Sequence, residues 1–336
     1  MKQLNVLETE RAILHLKRHF EDQLALQLNL YRVSSPLFVP KNSGIQDTLS
    51  GTERPVEFKV LDIPGTACEI VHSLAKWKRM ALAQYGIPAG SGLYTDMNAL
   101  RPDEENLRTG MHSVYVDQWD WEHVMDARQR NLAYLKETVR TIYSVMRSTE
   151  QYLCEFFHVD PVLSSDIHFL HTQELLSRYP HTSAKEREDL VCRELGSVFL
   201  IGIGAELDNG IPHDRRAPDY DDWTTPNEDG YLGLNGDILV WNPVTERAFE
   251  LSSMGIRVDR EALIRQLDLC GCSERKQLSW HKMLLDGGMP QTIGGGIGQS
   301  RLSMLLLGKR HIGEVQVGIW PEDVVEWCRR EGIVLL

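Results

Sequence analysis

The chain has 336 residues, of which 42% are hydrophobic and 25% charged, a soluble globular composition with enough length for a sizeable core. A formal net charge of −12 repels a phosphate backbone, so small substrates are expected rather than nucleic acid. No stretch approaches the roughly eighteen apolar residues of a spanning helix, and Met1-Lys2-Gln3-Leu4-Asn5 lacks a signal-peptide core, so no membrane association and a cytoplasmic location are expected. The six cysteines show no C-x-x-C spacing and read as free thiols.

From about 8 to 28, the spacing of Ile13, Leu16, Phe20 and Leu24 predicts an amphipathic helix, with Thr9 near its start. His15 and His19 share a face there, but without a carboxylate motif they read as a packed or solvated pair. The run 31–40 is extended, its prolines favouring an edge or an interface. Strands are expected over 56–61 and 69–72, a helix from Ser73 to about Tyr85, strands near 93–100 and 113–121, and a long helical tract over about 122–157. A strand at 167–171 and helices at 173–178 and 184–195 come next, then a hairpin, 237–241 and 248–252, turning at Asn242-Pro243. The run 198–204 enters G-x-G as a dinucleotide fold does, but Leu207 stands at the third glycine position and Asp208-Asn209-Gly210 breaks the chain. Hairpins and helices of uneven length, without a linker, predict one α+β domain over 1–336 with a mainly antiparallel sheet.

Arg101 stands in a polar loop between two expected strands, where it can reach a phosphate. On the following strand, Gln118 and Asp120 are two apart and share a face, so an amide and a carboxylate could contact one small zwitterion. In the hairpin, Asp237 and Glu250 lie on opposed strands, and Glu250 and Ser252 alternate onto one face. Carboxylates in such apolar strands are costly to bury alone, so Mg²⁺ bridging nucleotide phosphates is the expected partner, with a salt bridge to Arg257 or Arg247 as the competing account. Ser73 begins a helix bearing Lys78 and Arg79, positive charge for a carboxylate or phosphate. A loop places Asp219, Asp221 and Asp222 together, where an acid could grip an ammonium group, although a surface turn is the commoner outcome.

Around 291–302, Gly294, Gly295, Gly296 and Gly298 strip side chains from the approach to Arg301, which opens an apolar helical run. Glycine lets a backbone approach a flat anionic ligand, a helix N-terminus offers N–H groups, and Arg301 adds a planar charged fork. The run matches neither the phosphate loop nor the dinucleotide fingerprint.

Together, Arg101-Pro102-Asp103-Glu104, Glu250-Leu251-Ser252-Ser253 and the glycine run through Arg301-Leu302 resemble the second and third signature motifs of class II aminoacyl-tRNA synthetases, with Pro36 similar to the proline of the first. The resemblance is closer to the ammonia-dependent asparagine synthetases, the aspartate–ammonia ligases related to those catalytic domains, and covers nearly the whole chain. Blocks such as Gln46-Asp47-Thr48-Leu49-Ser50-Gly51, Val71-His72-Ser73-Leu74-Ala75-Lys76-Trp77-Lys78-Arg79, His112-Ser113-Val114-Tyr115-Val116-Asp117-Gln118-Trp119-Asp120-Trp121 and Arg216-Ala217-Pro218-Asp219-Tyr220-Asp221-Asp222-Trp223 carry it. Ser300 replaces the aspartate usual before the final arginine of a synthetase, and no further module remains for an anticodon.

The resemblance implies a class II synthetase-like antiparallel sheet flanked by helices, assembled as a homodimer. It implies that L-aspartate attacks ATP to give β-aspartyl-AMP and pyrophosphate, and that ammonia then displaces AMP to give L-asparagine. In this sequence the implied catalytic residues are Asp47, Arg101, Gln118 and Arg301, with Asp47 as the proton acceptor for ammonium. Ser73, Lys78, Asp120, Asp221, Ser252 and Ser253 would bind the amino acid. Arg101, Asp237, Glu250, Gly294, Gly295, Gly296 and Arg301 would bind the nucleotide, with Mg²⁺ at Glu250 and Asp237. A glutamine-dependent enzyme would need a nucleophilic cysteine directly after Met1, where Lys2 stands. The alternatives are aminoacylation of tRNA or a carrier with Asp or Asn, and a silent nucleotide-binding protein.

Overall fold

The computed structural model describes residues 4–49, 51 and 53–336. Met1, Lys2, Gln3 and Ser50, named above, lie outside the described residues. Helix α1 (Val6–Leu28) starts earlier than the apolar spacing suggests, because Asn5 and Glu8 form a reciprocal capping box. Thr9 is not its cap but a buried side chain that accepts from Lys309 Nζ at 2.8 Å. Strand β1 (Leu30–Arg32) follows. Strands β2 (Phe38–Pro40), β3 (Glu57–Lys59) and β4 (Ala67–Ile70) make a small sheet in the order β2-β4-β3.

Helix α2 (Ala75–Tyr85) has no side-chain cap, so Ser73 does not begin it as expected. Strands β5 (Gly92–Leu100) and β6 (Tyr115–Val124) come next, and β6 runs three residues into the tract expected to be helical. There the period-2 alternation persists, with Trp119 and Trp121 buried on one face, and Val124 still pairs with Thr292. The helix itself, α3 (Leu132–Phe157), begins at its Asn131 cap. Strand β7 (His168–His171), α4 (Thr172–Arg178), α5 (Ala184–Leu195) and β8 (Ser197–Ile201) follow the sequence spacing closely. After β8 the chain turns through Gly202 and Gly204, both at positive φ, and no helix follows, which removes the dinucleotide alternative. Strands β9 (Asn235–Asn242) and β10 (Arg247–Ile256) form the hairpin, α6 (Arg260–Leu269) and α7 (Ser279–Leu285) were not anticipated, and β11 (Thr292–Gly298) leads directly into α8 (Gln299–Leu306). Helix α9 (Glu322–Arg330) comes last.

The main sheet has the order β1-β5-β6-β11-β10-β9-β8-β7. Its edge pairings, β1 with β5 and β7 with β8, are parallel, and the rest are antiparallel. One face packs Trp119, Met254, Ile293 and Ile297 against α1, α3 and α8 in the largest apolar core. On the other face, α2 packs on Leu93 and Val124, and α5 packs on Val198 and Leu239. Between those helices the sheet presents polar residues. One cross-strand row there reads Asp120, Gly296, Ser253 and Asp237 over β6, β11, β10 and β9. Because antiparallel partners share a face, Gly296 puts no side chain of its own between Asp120 and Ser253, and the Gln118 amide lies over it.

Candidate active site

Two adjoining compartments occupy that polar face. The inner one, about 220 Å³, is lined by Asp47, Ser73, Lys78, Asp120, Tyr220, Asp221, Ser253, Arg257 and Gly295. The outer one, about 250 Å³, is lined by Glu104, His112, Tyr115, Ser252, Gly298, Ser300 and Arg301. Arg101, Gln118, Glu250 and Gly296 line both, and so form the junction.

In the inner compartment, Lys78 and Asp120 form a buried ion pair, and Lys78 also donates to the carbonyls of Trp121 and Gly295, each at 2.9 Å. All three ammonium donors are therefore engaged by protein. Burial pushes Asp120 up and Lys78 down, both toward the uncharged form, against their mutual attraction. Asp221 pairs with Arg257, whose Nη2 also donates to Glu122 at 2.8 Å. Asp47 accepts from Ser73 Oγ at 2.5 Å and from Leu49 N–H at 2.8 Å. The lining thus carries side chains of both signs, as suits a zwitterionic ligand. Of the three loop acids, only Asp221 lines the site, and none is a surface group. Asp219 is buried against Lys76 and His281 at 3.1 and 3.0 Å, and Asp222 pairs with Arg130.

At the junction, Arg101 Nη2 donates to the His72 carbonyl at 3.1 Å, while its Nε is buried without a partner. Ser252 Oγ is likewise buried and unpartnered, and Arg216 Nε is buried without a hydrogen bond, 3.7 Å from Asp221. Orphaned polar atoms of this kind are costly in a closed core and are accounted for by a polar ligand. In the outer compartment burial, and then the Arg301 charge, hold His112 down to about 4, so its ring is neutral at physiological pH. Burial opposes ionisation of Glu250, but Arg301 and the other nearby cations hold its carboxyl below the usual range.

Several expectations need correction. Gly294 lines neither compartment, because its register opposite Glu122 sets it against the Glu122–Arg257 pair. Asp237 also lines neither compartment and is held by Arg216 at 2.6 Å. Burial, with the nearby Glu250 charge and against Arg216, raises its carboxyl to about 7. Neither Arg257 nor Arg247 neutralises the hairpin carboxylates; Arg216 and Arg301 do. Strict alternation from Glu250 to Ser252 fails, because a register shift leaves Leu251 unpaired. Ser253, not Ser252, consequently joins Glu250 in the inner compartment, and Ser252 lines the outer one. Arg79 supplies no charge to the site and is buried, donating to the Pro290 and Val258 carbonyls at 2.9 and 2.6 Å. Gly295 and Gly296, by contrast, lie at the lining as expected.

Sequence reasoning assigned no role to Arg216, Tyr220, Glu104, His112 or Tyr115. Each stands within or beside a quoted block, but local spacing does not reveal which block members turn inward. For Mg²⁺, no group of three His, Cys, Asp or Glu side chains among the described residues forms a ready ligand set. Of the two carboxylates expected to hold it, Glu250 but not Asp237 lines the compartments, which fits an ion that takes most of its oxygens from phosphate and water.

No helix among the described residues is long and apolar enough to cross a membrane. The main sheet and its helices resemble asparaginyl-tRNA synthetase from Entamoeba histolytica in complex with asparaginyl-adenylate, with a TM-score of 0.65 and 15% identity over 93% of this chain and 66% of that one. The corresponding complex from Pyrococcus horikoshii gives a TM-score of 0.67 at 15% identity, over 93% of this chain and 70% of that one. At that identity the likeness shows a shared class II synthetase fold. An aspartate–ammonia ligase of Parabacteroides distasonis is 54% identical over 99% of this chain and 96% of its own length. One from Clostridium perfringens strain SM101 is also 54% identical over the same shares. The family model described as aspartate-ammonia ligase matches residues 7–332, and on that span, together with these relatives, the chain belongs to the aspartate–ammonia ligase family.

Proposed function

We propose that this enzyme joins L-aspartate and ammonia into L-asparagine at the expense of ATP, through a β-aspartyl adenylate, with AMP and pyrophosphate as products. The observation that carries the reading is the pair of compartments sharing Arg101, Gln118, Glu250 and Gly296. Aspartate fits the inner space lined by both charges, ATP fits the outer one, and their reacting ends meet at Arg101.

In the first step a β-carboxylate oxygen forms a bond to the α-phosphorus, and the bond from that phosphorus to the pyrophosphate oxygen breaks. Arg101, with an unused buried N–H, neutralises charge growing on the α-phosphate. Arg301 holds the far phosphates or the nucleotide from the outer wall. Gly295 and Gly296 let the ligand lie against the backbone of β11. Glu250 would help hold Mg²⁺, which would supply Lewis-acid stabilisation of the same charge. In the second step ammonia attacks the acyl carbon, AMP leaves with the bonding pair, and Asp47 accepts the proton lost by the incoming nitrogen. Asp221 and Asp120 face the substrate's α-ammonium, with Lys78 held behind Asp120; Ser73 meets the α-carboxylate by turning its hydroxyl away from Asp47, and Gln118 and Ser253 meet the side-chain end; Ser252 supplies its unpartnered hydroxyl to the nucleotide side.

The same reading makes the enzyme cytoplasmic and one catalytic domain over 1–336. It also makes it a homodimer, supported by exposed Leu14, Leu26, Tyr31, Leu37 and Phe38 along α1 and the segment after it. Incubation with ATP, Mg²⁺, aspartate and either ammonium or glutamine tests the reaction. Asparagine, AMP and pyrophosphate from ammonium are expected, and ADP as product would refute adenylation. A charging assay with labelled aspartate or asparagine is expected to leave tRNA unmodified.

A further inference from the structure

His72 lines neither compartment and is fully buried, yet it touches both sides of the junction. Its carbonyl accepts from Arg101 Nη2 at 3.1 Å. Its N–H donates to Gln46 Oε1 at 3.0 Å, the oxygen that also accepts from the Asp47 N–H at 3.1 Å. Its ring Nδ1 lies 3.2 Å from the Asp47 carbonyl oxygen. A carbonyl only accepts, so Nδ1 carries the proton, and Nε2 is left buried without a partner. Ser73, the next residue, donates to the Asp47 carboxylate at 2.5 Å. One dipeptide therefore engages Asp47 through both main chain and side chain, and restrains Arg101 through a carbonyl.

We propose that His72 is a positioning residue for this reaction: its neutral, Nδ1-protonated ring pins the main chain at Asp47 and so sets the Asp47 carboxylate against the Arg101 guanidinium. It takes this role only if Asp47 and Arg101 act as proposed above. A ring that merely filled space would need no proton at Nδ1, because packing is indifferent to where the hydrogen sits. Burial lowers the pKa of the ring, outweighing the attraction of Asp47, which keeps it neutral and suited to a single Nδ1 donor. A misplacement of one ångström at a reacting group costs on the order of a hundredfold in rate, so a small shift of Asp47 is measurable.

The test compares His72→Asn, whose amide nitrogen superposes on Nδ1, with His72→Gln, whose nitrogen superposes on Nε2, alongside Asp47→Asn. For each we would measure kcat, the KM values for aspartate and ammonium, and the melting temperature. His72→Gln is expected to lower kcat at least about tenfold with little change in aspartate KM. His72→Asn should keep clearly more turnover while melting at the same temperature as His72→Gln. Equal turnover in the two variants, or losses that follow the melting temperature, would overturn the role of His72. A fully active Asp47→Asn enzyme would instead overturn the assignment of Asp47, whereas an inactive one beside an unimpaired His72→Gln would overturn His72 alone.

Discussion

Arg301 donates from Nη1 to the main-chain carbonyl of Glu250 at 3.0 Å, while the Glu250 carboxylate stays 3.7 Å from the same nitrogen. The guanidinium is thus anchored by backbone and by the Phe249 ring, 5.7 Å from its centroid, and both charged ends remain turned to the outer compartment. Glu250→Gln keeps that anchor and removes only the carboxylate charge. It should therefore raise the Mg²⁺ requirement and the KM for ATP more than the KM for aspartate. Arg301→Lys loses the planar fork and should raise the KM for ATP as well. Steady-state kinetics at varied Mg²⁺ would check both, and unchanged values in Glu250→Gln would count against the metal assignment.

Arg101 has one hydrogen bond to His72 and one buried N–H without a partner. Arg101→Ala should lower kcat at least about a hundredfold, the usual loss when a donor to developing charge is removed. Aspartate-dependent exchange of pyrophosphate into ATP should fall in parallel, since it reports adenylation alone. Normal exchange with slow asparagine formation would move Arg101 to the second step.

Gly294 and Gly296 predict opposite phenotypes. A Cβ at 294 would lie 1.9 Å from Glu122 Oε2 and 2.7 Å from Arg257 Nη2, inside a buried ion pair with no room to yield. Gly294→Ala should therefore fail to accumulate folded protein or melt well below the parent. A Cβ at 296 would lie 2.3 Å from Gln118 Oε1, the end of a flexible side chain at the junction. Gly296→Ala should fold, displace Gln118 and lose activity. Calorimetry combined with the product assay separates the two.

Lys78→Met would strand Asp120 in a buried site, while Glu122, 3.8 Å from the ammonium, keeps its pair with Arg257. Breaking one partner of such a pair costs about 3–5 kcal/mol, so urea unfolding should shift by that amount. An unchanged midpoint with a raised KM for aspartate would make Lys78 a substrate ligand first.

Asp237 ties stability to pH. Its carboxyl, raised from 3.8 to about 7, binds a proton more tightly in the folded state than in the unfolded one. Its contribution is therefore fully present at low pH and is lost as pH rises through about 7. Asp237→Asn should remove that decline, and urea titrations should show the profiles of variant and parent diverging as pH rises from 3.8 to about 7 and running parallel above it.

Much of the site was legible locally. Gln118 and Asp120, two apart on a strand, do share the polar face, and Arg101, Glu250, Gly296 and Arg301 do converge. Alternation and helical spacing depend on near neighbours, so they survive folding. The misses have equally physical causes. Asn5 caps α1 through a side chain outside its apolar pattern. A single register shift after Glu250 moved Ser252 out of the inner compartment, and nothing in the local residue types announces such an insertion.

The amino-acid sequence by itself determined the family, the strand and helix faces, and most of the side chains that we propose meet aspartate and ATP. Only the tertiary structure decided how the charges pair. Arg257 finds Glu122 across 135 residues, and Arg216 takes the Asp237 that had been assigned to metal. Burial makes such pairing obligatory, because an unpartnered charge in a dry sheet face is too costly to keep. Which partner each charge takes is set by strand order and register, and spacing along the chain does not contain them.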